Sequence, residues 1–586
     1  MAEVMQKSCA RCNASFSITE EDRVFYSRQK VDAPTWCPHC RMLRRFVWRN
    51  EHQLFRRKDD RSGKDLISIF PQEIKGVVYD IHAWNGDDWD PMKYGRDFDS
   101  SRPFMEQLME LFHEVPRPSK AVQNMINSDY CDQANDMKNS YLCFNGAEVE
   151  DSAYLTGSSN VKDGFDMFEC RGIELSYDNY MIDDSYQVFY SINSEECRNV
   201  WFSNYLVGCS DCFGCMNLRN KQYYIFNEPH TKESYRKFME GLNTGSHKVI
   251  EEYKKKAHDF WEKNPMKFTL TFRNQNSTGE HVEHSKNVHD SYCVHGAENL
   301  RYCQFIENPA TDCYDYSVWG VNASEIYESL ACGDGSSRIK SSFDCWPSCS
   351  DVEYSMFCRN ASNVFGCVSL KKKDYCILNK QYSKEDYEKL RAEIIQQIKD
   401  KPYKDPQGRT YHYGDFLPIE FSPYAYNETI AQDFFPLVKE EAERQGFVWR
   451  EPKKREYEAT IQAEDIPDDI KDVKDDILKE IIGCGKCRQP YRIVKIELDF
   501  LRNMKLPAPR LCPDCRSAAR FQFVNSPELR PGKCQCAGAK DDRGIYANTM
   551  EHFHKGDHCP NEFGTSFREG ADDIIYCEEC YQTEVA

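Results

Sequence analysis

The sequence predicts a mixed, mainly β protein: a duplicated, β-solenoid-like centre with twelve-residue rungs and capping helices, flanked by two small modules of the zinc-ribbon or treble-clef kind. Three observations predict it. Paired CxxC motifs recur near both ends with identical spacing. A constant offset relates two halves of the middle, and within the first half short aromatic-rich segments recur at close to twelve residues. An antiparallel β-sandwich or barrel is the alternative for the centre. The boundaries that follow are a zinc-ribbon module over 1–100, a connecting helix or linker over 101–128, β-repeats with following helices over 129–264 and 265–400, a connector over 401–475 and a zinc module with two metal sites over 476–586. At 586 residues the chain has room for about four domains.

The first module opens with Cys9-x2-Cys12 and, 24 residues on, Cys37-x2-Cys40; the last carries Cys484-x2-Cys487 and, again 24 residues on, Cys512-x2-Cys515. A CxxC knuckle presents two thiolates together, and a second knuckle closes a tetrahedral zinc site. The similarity runs past the ligands. Trp36-Cys-Pro-His-Cys-Arg41 matches Leu511-Cys-Pro-Asp-Cys-Arg516, and Val78-Tyr-Asp-Ile-His-Ala83 aligns with Ile575-Tyr-Cys-Glu-Glu-Cys580. That alignment sets Asp59 opposite Cys534, Ser62 opposite Cys559, Asp80 opposite Cys577 and Ala83 opposite Cys580. A duplicated module with two metal positions is expected, both kept at the C-terminus and the second lost at the N-terminus. The preferred ligands of that second site are Cys534, Cys559, Cys577 and Cys580, with Cys536 or His554 as replacements for Cys534. About three zinc ions per chain are expected, in closed structural sites without an open coordination position.

The C-x2-C…C-P-x-C-R pattern, on Cys9, Cys12, Cys37, Cys40 and on Cys484, Cys487, Cys512, Cys515, resembles the zinc-ribbon domains at the ends of large, uncharacterised bacterial proteins of the candidate-phyla type. Phe365-Gly-Cys-Val-Ser-Leu370 and Asn379-Lys-Gln-Tyr-Ser-Lys384 share in that resemblance. It implies zinc binding and an intracellular location, and it names no substrate.

In the middle, Phe213-Gly-Cys-Met-Asn-Leu218 stands 152 positions before Phe365-Gly-Cys-Val-Ser-Leu370. Segments beginning near Ser140, Ser152, Gly164, Leu175, Gln187, Asn199, Asp211 and Gln222 are each about five residues of alternating apolar and polar character, separated by Asn, Asp, Gly, Ser and Glu. That is the signature of strands and turns, and a short fixed period suggests rungs that bury their inner faces on one another. Ser383-Lys-Glu-Asp386 offers a capping-box start for a helix after the second copy, and Gly241 and Gly245 should break the helical stretch after the first.

Charge and cysteine usage bound the function. The formal charge is −19, from 76 basic and 95 acidic side chains, which disfavours general polyanion binding. No apolar run approaches the ~18 residues that span a bilayer, and the opening residues show no signal-peptide core, so a cytoplasmic protein without membrane contact is expected. Cysteines number 29, thirteen toward the ends and sixteen between Cys131 and Cys376; without an export signal they read as metal ligands and small buried hydrophobes, not as disulfides. Cys209-x2-Cys212-x2-Cys215 resembles part of an iron–sulfur ligand run, but its counterparts in the second copy are Ala361, Val364 and Cys367, which favours a core role. His281, His284, His289 and His295 lack ligand spacing.

Three function classes remain. One is a nonenzymatic zinc protein that acts as a scaffold for an unidentified macromolecular partner, in an oligomeric state the sequence does not fix. Another binds RNA or DNA through a basic stretch whose candidate contacts are Arg41, Arg44, Arg45, Arg49, Arg56 and Arg57, interleaved with Phe46, Trp48 and Phe55; pairing of these arginines with the protein's own carboxylates is the competing explanation. The last is an enzyme using Asp163, Asp166, Asp183 and Asp184, or Asp312 and Asp315, on the solenoid face. No P-loop, dinucleotide-binding glycine run, HExxH or nucleophile elbow supports it.

Overall fold

The computed structural model describes residues 4–307, 309–452 and 457–585. They form two compact units, and neither is a continuous run of chain. One comprises Met1–Lys120, Thr269–Glu451 and Ser526–Arg530; the other comprises Ala121–Phe268, Pro452–Asn525 and Pro531–Ala586. The N-terminal zinc module thus folds with the second β-repeat, and the C-terminal module with the first.

Both repeats are β-solenoids, with about 21 turns between them. In the first repeat successive turns pair in parallel with a register of twelve: Val122 faces Ala134, Ala153 faces Phe165, Ser159 faces Arg171 and Ser210 faces Gln222. Parallel stacking of successive turns excludes the antiparallel sandwich. The second repeat opens on a register of eleven, Thr271 facing Val282, moves to twelve, inserts turns of thirteen in which Ala310 faces Ala323, Ser324 faces Ser337 and Ser337 faces Ser350, and ends on twelve. These insertions move the offset between the copies from 149 at Asp163 and Asp312 to 152 at Phe213 and Phe365.

The composition of the turns follows from their geometry. Left-handed backbone recurs at every third residue over long stretches, as at Gln133, Asp136, Asn139, Leu142, Asn145, Glu148 and Asp151, so each twelve-residue turn bends four times. Asn and Asp tolerate that conformation best among residues with a side chain. They also stack: Asn127 donates to Asn139 (3.0 Å), and Asn139 donates to Asp151 (2.8 Å). At Gly214 (φ 66°) and Gly366 (φ 64°) an aromatic ring covers the bend, and a Cβ on Gly366 would lie 2.6 Å from Phe104. That accounts for glycine in the repeated Phe-Gly-Cys motif.

The interior of each coil is narrow and holds small apolar side chains. In the first repeat Val161, Ile173, Ile182, Val188 and Val200 pack with Cys143, Cys170, Cys197, Cys209, Cys212 and Cys215; in the second Val282, Leu300, Ile339, Val352 and Val364 pack with Cys303, Cys313, Cys332, Cys345 and Cys358. Full burial of each Val, Leu or Ile stabilises by about 1.5–3 kcal/mol. Serines inside the coil satisfy backbone amides one turn on, as when Ser128 Oγ accepts from Ser140 N (3.0 Å) and Ser291 Oγ from Cys303 N (3.1 Å).

Each stack ends in an antiparallel hairpin: Gln222–Ile225 pairs Glu228–Pro229, and Asp374–Ile377 pairs Lys380–Gln381. Helices follow. After the first repeat one helix runs Lys232–Gly241 and another His247–Trp261, so the chain breaks between Gly241 and Ser246. After the second, Lys384–Asp400 starts at Ser383, whose hydroxyl accepts from Asp386 N (3.1 Å). No helix among the described residues is long and apolar enough to cross a membrane.

Candidate metal centres

Each terminal module builds its CxxC array from a hairpin knuckle and a helix start. Met5–Ser8 pairs antiparallel with Ser15–Ile18, and Cys9 and Cys12 lie in the turn between them. Cys37 caps the helix Pro38–Phe46, with Pro38 in its first position, where no amide hydrogen is needed, and Cys40 follows in the first turn. The C-terminal array repeats the plan: Cys484 and Cys487 lie between Ile482–Gly483 and Pro490–Tyr491, and Cys512 caps Pro513–Phe521.

In both arrays the four thiol sulfurs lie within 4.8 Å of one another. Cys12 Sγ is 3.7 Å from Cys37 Sγ, and Cys487 Sγ is 3.7 Å from Cys512 Sγ. Four sulfurs at about 2.3 Å from a tetrahedral zinc ion stand about 3.8 Å apart, so the spacing is that of a zinc shell. Backbone amides donate to the sulfurs in equivalent ways, Cys37 N to Cys9 Sγ (3.2 Å) and Cys512 N to Cys484 Sγ (3.3 Å). Hydrogen bonding from Cys40, against burial, pulls Cys37 down to about 5, and Cys40 is pushed up by Cys37 and by burial. Burial opposes ionisation of Cys484 too, yet the amides of Cys487 and Cys512 bring it to about 6. One thiolate in each array is stabilised, Cys37 or Cys484, while Cys12 and Cys40 in the first and Cys512 and Cys515 in the second are pushed up. A divalent cation removes that conflict.

The last segment brings together two further groups. Cys534, Cys559, Cys577 and Cys580 form one, with Cys559 Sγ 3.8 Å from Cys577 Sγ, and Asn561 donates to Cys577 Sγ (3.3 Å). Cys536 and His554, expected as substitutes for Cys534, instead join His552 and Cys580 in a separate group. Among the described residues, four groups of side chains could therefore hold metal ions. His552 is one of the Cys and His candidates that this segment offers but lies outside the preferred set; its signal is the run Glu551-His-Phe-His554, which places two imidazoles two residues apart.

The N-terminal module carries a polar knot at the aligned positions. Asp59 Oδ1 accepts from Asp80 N (3.0 Å), just as Cys534 Sγ accepts from Cys577 N (3.2 Å). Asp59 Oδ2 also accepts from Ser62 N (2.8 Å) and Ser62 Oγ (2.5 Å). Hydrogen bonds hold together here what thiols surround at the other end.

No protein-family model matches the chain, and no curated protein matches it. Among solved structures, a crystal structure from Desulfovibrio desulfuricans G20 described as a "putative acetyltransferase" is similar over 47% of this chain and 86% of its own, at 9% identity and a TM-score of 0.09. A likeness that slight carries no argument about fold or activity.

The basic stretch requires a correction. Arg41, Arg44 and Arg45 are 1%, 0% and 0% exposed, and they turn inward onto the solenoid of their own unit. Arg41 Nε donates to Asp315 Oδ2 (2.9 Å), Arg44 Nη2 to Glu328 Oε1 (2.6 Å) and Asp415 Oδ1 (3.1 Å), and Arg45 to Ser317 Oγ (2.9 Å) and Glu328 Oε2 (3.1 Å). Arg49 pairs with Glu51 (2.7 Å) and Arg57 with Asp60 (2.7 Å). Phe46 and Trp48 are buried as well. Of the six candidate phosphate contacts only Arg56 is exposed: the helix Pro38–Phe46 uses the face of Arg41, Arg44 and Arg45 to dock, and Arg49 and Arg57, outside that helix, pair with nearby carboxylates. Burial raises Glu328 in spite of Arg44, Arg45 and Arg41 around it.

The C-terminal module docks the same way. Arg516 Nη1 lies 2.7 Å from Glu497 Oε1 and 3.2 Å from Asp166 Oδ2, and Arg520 Nη1 lies 3.1 Å from Asp166 Oδ1 and 3.2 Å from Asp178 Oδ1. Asp166 and Asp315, two carboxylates considered for acid–base chemistry, are thus consumed in buried ion pairs. Asp183 accepts from Arg171 Nε (3.1 Å), and Asp312 from Asn299 (3.2 Å) in the ladder along the bends. Asp163 is raised, by burial first and Asp151 second. Cys209, Cys212 and Cys215 line the coil interior and approach backbone carbonyls, Cys212 Sγ at 3.4 Å from Ser210 O. His281 is buried, with Glu280 at 3.7 Å, and the rings of His284 and His295 are 5.1 Å apart.

Proposed function

We propose that the protein is a nonenzymatic, zinc-bearing scaffold in which each terminal metal module clamps a β-solenoid, leaving the outer faces of the coils for a macromolecular partner. The observation that carries this reading is the doubled arginine clamp, Arg41 on Asp315 and Arg516 on Asp166. It holds each module to its coil through buried ion pairs. Zinc is the metal that fits the donor set, because soft thiolates in a tetrahedral shell select it. Four protein ligands per ion leave no position for substrate or a reactive water. The reading places the protein in the cytoplasm, where ligand thiols stay reduced.

Nucleic-acid binding through residues 41–61 is the weaker reading, since Arg41, Arg44, Arg45, Arg49 and Arg57 are buried. Copurification of full-length protein from its host, with protein and nucleic acid identified together, separates the two. A defined protein partner at stoichiometric yield is expected. Stoichiometric RNA or DNA would overturn the proposal in favour of the alternative.

A further inference from the structure

We infer that the C-terminal segment holds a binuclear metal cluster in which the Cys580 thiolate bridges two ions, one completed by Cys534, Cys559 and Cys577 and the other by Cys536, His552 and His554. The proposal rests on the metal-binding part of the reading above and is independent of the scaffold part.

Geometry comes first. Each set has its four donor atoms within 4.8 Å of one another, and Cys580 Sγ belongs to both. Within the second set Cys536 Sγ is 3.6 Å from His552 Nδ1, and Cys580 Sγ is 3.5 Å from His554 Nε2. A tetrahedral zinc ion with sulfur at about 2.3 Å and nitrogen at about 2.05 Å separates those donors by about 3.6 Å. Two independent sulfur–nitrogen distances agree with that value.

The other nitrogen of each imidazole is held as a metal ligand requires. His552 Nε2 meets Glu584 Oε1 at 2.8 Å, and His554 Nδ1 meets the carbonyl of Asp557. Such partners fix the ring and the tautomer that leaves the ligating nitrogen free. Glu584 is fixed in turn, accepting from Thr549 N and Thr549 Oγ1 (both 2.8 Å) and Tyr546 OH (2.9 Å). His552 and Glu584 have fully buried side chains. This is a built second shell behind a nitrogen donor. Cys536 Sγ also accepts from Asn548 Nδ2 (3.1 Å), an interaction suited to a thiolate.

Charge supplies an independent argument. Cys534, Cys536, Cys559, Cys577 and Cys580 are all at most 4% exposed. Five thiolates around one divalent ion would leave three negative charges in a buried volume, whereas two ions leave one. Sharing Cys580 lets five sulfurs and two imidazoles give each ion four ligands.

The test uses the full chain reconstituted with Co(II) alone. Native mass spectrometry should count four ions, two of them in the C-terminal cluster. High-spin Co(II) ions joined by one thiolate couple antiferromagnetically, so the electron paramagnetic resonance intensity at low temperature should match about two isolated ions. In His554→Ala the count should fall to three while the signal rises to that of about three ions, because the surviving partner is released from coupling. A wild-type count of three, or four ions with the intensity of four, would overturn the bridge. The wild-type measurements stand alone if the variant does not fold. Failure of the scaffold reading would show in copurification and leave these counts unchanged.

Discussion

Arg516 Nη1 lies 3.2 Å from Asp166 Oδ2, with both side chains buried, and Arg41 stands to Asp315 in the same relation at 2.9 Å. Both arginines directly follow the second CxxC of their module. The duplication therefore reproduced an interface along with the metal site. A metal held by the Cys pair at the start of each helix would fix the orientation of that helix, which aims the next arginine into the coil.

Removing one side of such a pair should be costly. Arg516→Met leaves Glu497 buried without its counter-charge and Asp166 with Arg520 alone, a loss of about 3–5 kcal/mol. Chemical denaturation should show it. Adding Glu497→Gln should recover much of the loss, because the harm comes from stranded charge. Unchanged stability in Arg516→Met would mean that this contact does not hold the module.

Charge reversal in the N-terminal stretch should separate docking from surface chemistry. Arg45→Glu puts an anion beside Glu328 and Asp315 and should release residues 1–120 to proteolysis. Arg56→Glu, at an exposed position, should leave the protease pattern and stability within about 0.5 kcal/mol of wild type. Equal resistance of both variants would argue against the buried clamp.

The twelve-residue period was legible because every turn needs the same bends, and Asn, Asp and Gly satisfy them; bends leave residues behind that can be counted. The CxxC arrays were legible because zinc ligation dictates local spacing. The basic stretch admits two readings in the sequence because charge is visible there and a partner is not: Asp315 and Glu328 stand 274 and 284 positions from Arg41 and Arg44. A signal did exist. Arg41 and Arg516 recur across the modules, and Asp166 and Asp315 recur across the repeats, so a doubled cation and a doubled anion could have been matched. The metal group around His552 was hidden by ligand sharing, since assigning Cys580 to one ion removes it from the other.

Metal should be a folding element of each module. Cys484→Ser should lose one ion and open residues 482–521 to protease while the coil interior around Val161 and Val188 keeps its amide protection. Structural zinc contributes on the order of 10 kcal/mol in small domains, more than the docking arginines can replace. Hydrogen exchange read by mass spectrometry checks both halves of this expectation. Full protection of 482–521 in the variant would show that the site does not fold the module.

Lys371 provides a pH test far from any metal. Its ammonium lies 4.0 Å from the centre of the Trp84 ring and donates to the Trp84 carbonyl, with Trp89 beyond and Arg359 and Asp87 as the charged groups that influence it. Burial, with Arg359 second, lowers it to about 8 from an ordinary 10.5, against the pull of Asp87. Below pH 8 both folded and unfolded chains carry the proton, and the folded state bears the whole cost of the buried charge. Between pH 8 and 10.5 the unfolded chain keeps its proton while the folded one releases it. Stability therefore rises with pH in that window, by at most about 1.4 kcal/mol per unit. Urea denaturation of wild type and Lys371→Met at pH 7, 8, 9 and 10 isolates the effect, since all other titrations are shared. The wild type should gain on the variant from pH 8 upward and run parallel to it below. A constant difference across the range would mean that Lys371 titrates as it does in an unfolded chain.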